Sequence, residues 1–454
     1  MNYKKIITSF ILAIFLFMSN FHFIAFAAWG QMAKLQGSGS NGSDFLGYAV
    51  DMSDDGVYAI MGAYGEENGG EAYVYKRTDT SWAEEDTLIP SDQEVSDEFG
   101  YDVAMDSDGD CALVGAHLED TAGNSAGAVY FFTRSGTTWT EQQIFTGTDT
   151  NANDQFGFAL DVDDSCTTAV VGASLKDEGG NARGAIYTFT RTTGDWSQDE
   201  KITSYTGDDY DQFGYSVAIA GTGDVIATGL PYDDDEGDGS GSAVIYKDVA
   251  STWTFQQFMK PTDDVHDDDN YGWEVAVSDS GDYILISEVG DQDAGAYTGA
   301  VYSYYENGGS WSLGNKMTAS SQSATDNFGD SIDITDDGAY AAIGAWGYGS
   351  SGAAYLFTRS GNSFSQTEFL TTSDINAGTL GEYIAISDSA GYILAGDSYD
   401  DEDGTNAGAG YVFYDAPEAT PIPEFRTYLI VLSMIFGFGM IHYTLRKPNT
   451  ELIG

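Results

Sequence analysis

The sequence predicts an all-β fold, a seven-bladed β-propeller over residues 28–414, on three observations. An apolar–glycine pair recurs seven times at nearly constant spacing. The segments between recurrences have the composition of short strands. A strand missing from the last copy stands near the beginning of the chain.

The pair is Leu46-Gly47, Phe99-Gly100, Phe156-Gly157, Phe213-Gly214, Tyr271-Gly272, Phe328-Gly329 and Leu380-Gly381. Its glycines are 53, 57, 57, 58, 57 and 52 residues apart. A period of this size belongs to propellers, solenoids or arrays. Fifteen residues after each of these glycines comes Gly62, Gly115, Gly172, Gly229, Ser287, Gly344 or Gly396. Ala63, Ala116, Ala173 and Ala345 follow four of them.

The strands come next. "YSVAIA", "DVIATG" and "SAVIYK" in the fourth copy are short, rich in Val, Ile and Tyr, and bounded by turn residues. Both parities are apolar or small, which fits sheets covered on both faces. No segment of this region keeps a helical period. A fourth strand opens on an aromatic residue at Trp82, Trp139, Trp196, Trp253, Trp311 and Phe364. The last copy stops at Tyr414 without one, and "WGQMAKL", Trp29 to Leu35, supplies it. Such a swap closes a ring and leaves no unfinished sheet edge.

"FGYDVAMDSDGDCALVGAH" and its relatives resemble FG-GAP repeats, the blade units of integrin α-subunit heads and of many microbial surface proteins. The resemblance covers nearly all of 28–414. It implies an extracellular propeller, often used in adhesion, and names no ligand.

The two ends have other compositions. Residues 1–27 read as a secretory signal: Lys4 and Lys5, an apolar run from Ile6 to Phe26, and an A-x-A site at Ala25-Phe26-Ala27. Residues 415–427 form a linker containing "PIPEF", Pro421 to Phe425. Residues 428–445 are expected to be a transmembrane helix, near the lower limit of spanning length. Arg446 and Lys447 then make 446–454 a cytoplasmic tail. The PIPEF motif, apolar segment and basic pair resemble PEP-CTERM/PEF-CTERM sorting signals, which implies processing by a sortase-like enzyme. An ordinary Pro-rich juxtamembrane linker has the same composition. The expected location is the cell surface, anchored by this helix.

Between the ends, 12 basic side chains face 68 acidic ones, a net charge of −56. Such a surface repels nucleic acid and anionic lipid and suits cations or basic partners. Apolar content of 42% and aromatic content of 14% exclude a disordered acidic chain. Two cysteines in a secreted chain of this length do not hold it together. Cys111 and Cys166 reach the same rim of adjacent blades, and a bridge requires Cα atoms within about 7 Å. Their pairing is left open.

Calcium is the cofactor to consider, although the sequence makes none certain. Many FG-GAP blades carry a calcium loop in the hairpin between strands one and two. Its best match here is "DSDGDCALV", where Asp106, Asp108 and Asp110 fill the first, third and fifth positions. Val114 at the ninth cannot coordinate. The other hairpins, such as "SDDGVYA" and "TDDGAYA", read as plain Asp-Gly turns.

The opposite face is more acidic. Its loops carry Asp233, Asp234, Asp235, Asp267 and Asp269, expected as a displayed, cation-assisted binding surface. A solvated charge run is the plainer reading. An Asp also precedes the pair's glycine by three residues in six copies: Asp44, Asp97, Asp154, Asp211, Asp269 and Asp326. It suits either an Asx-type turn or a ring of carboxylates at the axial mouth.

His117 and His266 lack metal-ligand spacing and are expected in exposed loops. No nucleophile elbow or HExxH is present. The expectation is therefore no enzyme, but an adhesion or ligand-binding module taking an extracellular protein or glycan, and no nucleic acid. A structural envelope or matrix protein is the alternative, and a glycan-acting enzyme the third.

Overall fold

A computed structural model describes residues 29–204, 208–261, 265–374, 378–388 and 390–415. The predicted signal, the PIPEF motif and the predicted spanning helix lie outside the described residues. Among the described residues no helix is long and apolar enough to cross a membrane.

Trp29–Tyr414 is one compact unit. Its strands form seven four-stranded sheets. Blade one is typical: Val50–Met52, Tyr58–Ala63, Glu71–Thr78 and Ser81–Leu88, each antiparallel to the next. Blade seven consists of Ile384–Ile386, Tyr392–Asp397, Ala409–Asp415 and Trp29–Leu35, with the N-terminal strand on the outer edge. The closure is therefore as the sequence predicts.

The second strands are buried along all or nearly all of their length, fully so at Tyr58–Ala63 and Cys111–Ala116. Each is covered by a neighbouring blade on both faces, which explains the absence of alternation in their sequences. Outer strands alternate, as at Thr138–Phe145. The outer pairs carry a register shift at equivalent places, for example between Val74 and Tyr75 and between Phe131 and Phe132.

The recurring pair has a packing cause. All seven of its apolar residues are fully buried. All seven of its glycines have φ between 86° and 95°, where a side chain is strained. The glycine fifteen residues later meets the next blade. A Cβ on Gly62 would overlap the Gly100 carbonyl, and one on Gly396 would overlap that of Gly47. Where blade five has Ser287 instead, its Oγ accepts the Glu274 amide at 2.9 Å. A disulfide joins Cys111 of blade two to Cys166 of blade three, with Cα atoms 6.3 Å apart.

Candidate ligand-binding face and axial channel

On one face, the loop between strands two and three of a blade meets the loop leading into the next blade. Five of these junctions share one hydrogen bond. Ser43 donates its amide to Thr405 O, Asn153 to Asn124 O, Tyr210 to Asn181 O, and Asp268 to Asp238 O, each at 2.8 Å, and Thr325 donates to Ala296 O at 2.9 Å. The accepting loops are the five long ones, in blades seven, two, three, four and five. Their extra residues reach the neighbouring blade, so they are packed at the base and not merely displayed, which corrects the expectation of free loops.

The recurring Asp is a turn residue. Asp97, Asp154, Asp269 and Asp326 accept the amide of the residue three before, at 2.6 to 3.2 Å, and Asp44 does the same for Asn41. All six of these Asp are buried. In the seventh copy Gly378 replaces the Asp, and its amide donates to Asp397 instead.

The predicted surface residues divide into two groups. Asp233 is 2% exposed and accepts from the Asp235 amide and the Ser242 hydroxyl. Asp269 is 1% exposed. Asp234, Asp235 and Asp267 face water. Asp235 lies 3.3 Å from Lys260, and Asp267 accepts the Asp238 amide. In the blade-two hairpin, Asp106 accepts the Asp110 and Cys111 amides, while Asp108 and Asp110 are exposed. Burial, offset by those amides, holds the Asp106 carboxyl at about 7.

The axis holds a site that the sequence reading missed. The residue after each recurring glycine lines a cavity of about 460 Å³: Tyr48, Tyr101, Phe158, Tyr215, Trp273, Asp330 and Glu382. Five are aromatic and form a run around the axis. Ring centroids are 5.0 Å apart for Tyr48–Tyr101, 5.2 Å for Tyr101–Phe158, 5.2 Å for Phe158–Tyr215 and 4.9 Å for Tyr215–Trp273. Glu274, Asp330 and Glu382 add carboxyls. Burial, then the Glu382 charge, pushes Asp330 up to about 8 against hydrogen bonds from Trp346 and Trp273. Burial raises Glu274 well above the carboxylate range. The aromatic residue after the glycine, repeated in five copies, was the available signal.

His117 packs against the rings of this wall. It is 5% exposed, with its ring 3.9 Å from Tyr101, and burial lowers its pKa to about 3. The expectation of an exposed loop histidine is corrected: the Tyr101 and Phe158 rings enclose it.

Deeper in the channel, carboxyls stitch blades together. Asp51 accepts the Met105 amide, Asp102 that of Leu160, Asp161 that of Ile219 and Asp333 that of Ile386, at 2.6 to 2.8 Å. At the far mouth the first hairpins meet. Asp54, Asp164 and Asp336, from three blades, offer oxygens within 4.8 Å of one another. Burial, then the charges of Asp164 and Asp388, raises Asp54 to about 7. Asp164 and Asp336 are also raised to about 7. Three converging oxygens could take a hard cation such as calcium. Read singly, the Asp54 and Asp336 turns are plain Asp-Gly hairpins and the Asp164 turn is Asp-Asp-Ser-Cys; only ring closure brings their carboxylates together.

The FG-GAP repeat model matches residues 29–75, 82–132, 139–189, 196–246, 253–304 and 311–357. The chain belongs to the FG-GAP repeat family. Each match begins on or beside an outer-strand aromatic residue and ends in the third strand of the next blade. No curated protein matches the chain. Among solved structures, it is similar to U3-55K, at 9% identity and a TM-score of 0.52, covering 84% of this chain and 97% of that one. A structure of the mitotic checkpoint complex matches at 13% identity and 0.53, covering 84% and 91%. The WD40 repeats of RRP9 match at 9% and 0.51, covering 84% and 96%. At these identities the likeness is one of fold alone.

Proposed function

We propose that this FG-GAP propeller is a cell-surface adhesion module that binds an extracellular protein or glycan on the face carrying the aromatic cup. The supporting observation is the cup itself. Flat rings offer apolar contact area, and convergent carboxyls fix orientation through hydrogen bonds. Around it, Tyr210, Tyr232, Tyr297, Trp346 and Tyr399 are exposed on the same face. Secretion and tethering through the C-terminal segment complete the proposal. Calcium at the far mouth would serve as a structural ion.

A glycan array with the purified propeller, followed by titration of Trp273→Ala and Tyr215→Ala, tests the reading. The expected result is a ligand whose affinity falls about tenfold or more in each variant while the fold persists. A ligand bound equally by both variants places binding elsewhere. Absence of any ligand, together with assembly of the chain into envelope layers, favours a structural role.

A further inference from the structure

Blades two and three follow one plan where the loop between strands two and three meets the lead-in loop. Glu119 and Lys176 hold equivalent positions. The Glu119 amide donates to Ala116 O and the Lys176 amide to Ala173 O, both at 3.1 Å. The Glu119 carbonyl accepts from Gly127 at 2.9 Å and that of Lys176 from Gly184 at 3.0 Å. The surrounding groups match too. Tyr130 donates to Asp92 at 2.9 Å, and Tyr187 to Asp149 at 2.8 Å.

At this position the sign of the charge differs. In blade three the Lys176 ammonium, 3% exposed, donates to Asp154 at 2.8 Å and to the Asp149 carbonyl at 2.6 Å. In blade two a carboxyl stands in its place. Glu119 is 4% exposed, and its Oε2 is buried without a hydrogen-bond partner. Its charge adds to the burial that lifts Asp97 to about 6. The Glu119 Oε1 accepts the Thr121 amide at 2.8 Å, but no cation among the described residues stands beside it, and a buried carboxylate among acids is costly unless one joins it.

Blade one also has a glutamate here, Glu66, but its Oε1 accepts the Tyr73 hydroxyl at 3.2 Å. Blades three, four, five and seven supply a cation from their own chain. Lys201 pairs with Asp149 and Glu178, Lys34 with Asp374 and Asp400, Lys316 with Asp291 and Asp293, and Lys260 with Asp235. Blade six fills the space with Tyr348 against Phe369. Blade two carries no lysine and has Ile144 at the position of Lys201. A cavity of about 320 Å³ opens there, bounded by Asp92, Glu119, Ala122, Ile144 and Phe145 among others. Its walls combine acids with an apolar flank. Its two acids, Asp92 and Glu119, are fewer oxygen ligands than a calcium ion takes, and the apolar flank suits the hydrocarbon stem of an ammonium.

We propose that this blade-two slot binds a primary ammonium from outside the chain, a lysine side chain of a partner protein. Its stem lies along Ile144 and Ala122, and its head takes the place that Lys176 takes in blade three. The inference is independent of what the axial cup holds.

The probe is Nα-acetyl-lysine methylamide, with the Nε-acetylated form as control, titrated against the whole propeller by NMR. The free amine should bind about tenfold or more tightly than the control, since acetylation removes a charge-assisted hydrogen bond. Glu119→Lys should abolish this binding while leaving the melting temperature at or above that of the parent, because the lysine completes the blade-three arrangement. Glu119→Gln should weaken binding and keeps the test open if the lysine variant does not fold. Equal binding of amine and control, or binding unchanged by substitution at 119, overturns the proposal.

Discussion

The Lys176 ammonium lies 2.8 Å from Asp154 Oδ2, and neither side chain is more than 5% exposed. The pair ties the second–third-strand loop of blade three to its own lead-in loop, below the reach of solvent. Removing one partner leaves a buried charge without compensation. Lys176→Ala should therefore cost roughly 3–5 kcal/mol, measured by denaturant unfolding. An exposed pair would cost about 1 kcal/mol or less, and a loss that small would show that water reaches the site.

Deletion of residues 29–35 removes the outer strand of blade seven. The third strand, Ala409–Asp415, then becomes an open edge. Lys34 is also lost from Asp374, Asp400 and Glu402. The expected product is aggregated or unfolded by light scattering and circular dichroism. A soluble monomer with the parent melting curve would refute the closure.

The axial carboxyls set the pH dependence. Burial lifts Asp333 to about 6, Asp102 and Asp161 to about 7, and Asp330 to about 8. Unfolded carboxyls titrate near 4. From about pH 4 to about pH 8 the native state thus holds more protons than the unfolded chain, and stability falls as pH rises through that window. His117 acts in the opposite sense. Its folded value of about 3 lies below the ordinary 6.5, so its contribution is present above 6.5 and lost as pH falls towards 3. Several acids outweigh one imidazole. Melting temperature should be higher near pH 5 than near pH 8, and the reverse order would mean that the channel acids are solvated.

At neutral pH a cation at the far mouth would relieve repulsion among Asp54, Asp164 and Asp336. Calcium should raise the melting temperature more than sodium chloride of equal ionic strength, because a ligand of the native state stabilises it by mass action. Changing the three to Asn should abolish the difference. If the difference persists in that variant but vanishes when Asp234, Asp235 and Asp267 are changed, the acidic loops are the ion's site.

Reducing the Cys111–Cys166 disulfide should lower stability by about 2–4 kcal/mol, since the open chain gains freedom when unfolded. Melting with and without a reductant measures this. No shift would mean that the interface between blades two and three is held by packing alone.

The fold was legible because its constraints are local and repeated. Gly62 and its equivalents recur because each backs onto a neighbour's carbonyl, which leaves one residue type at one offset. The displaced Trp29 strand was legible for the same reason. The sites were less so. Asp233 carries the same charge as Asp234, but one is tied inside a turn and the other faces water, and composition cannot separate them. Asp54, Asp164 and Asp336 are each ordinary in sequence. Tyr101 and Phe158 showed a pattern, yet its meaning depends on which strand end faces the axis. The substitution of Glu119 for Lys176 was visible, but only the shared hydrogen bonds make the two positions one place.

The N-terminal strand also changes how the molecule bears load. Tension applied at Asp415 pulls on a strand flanked by Tyr392–Asp397 on one side and Trp29–Leu35 on the other. An edge strand would peel away one hydrogen bond at a time. This one must break from two neighbours together, and its outer neighbour is held to the acidic loops by the three carboxylates around Lys34. The closing blade is thus a mechanical clasp, set at the point where the chain leaves the propeller.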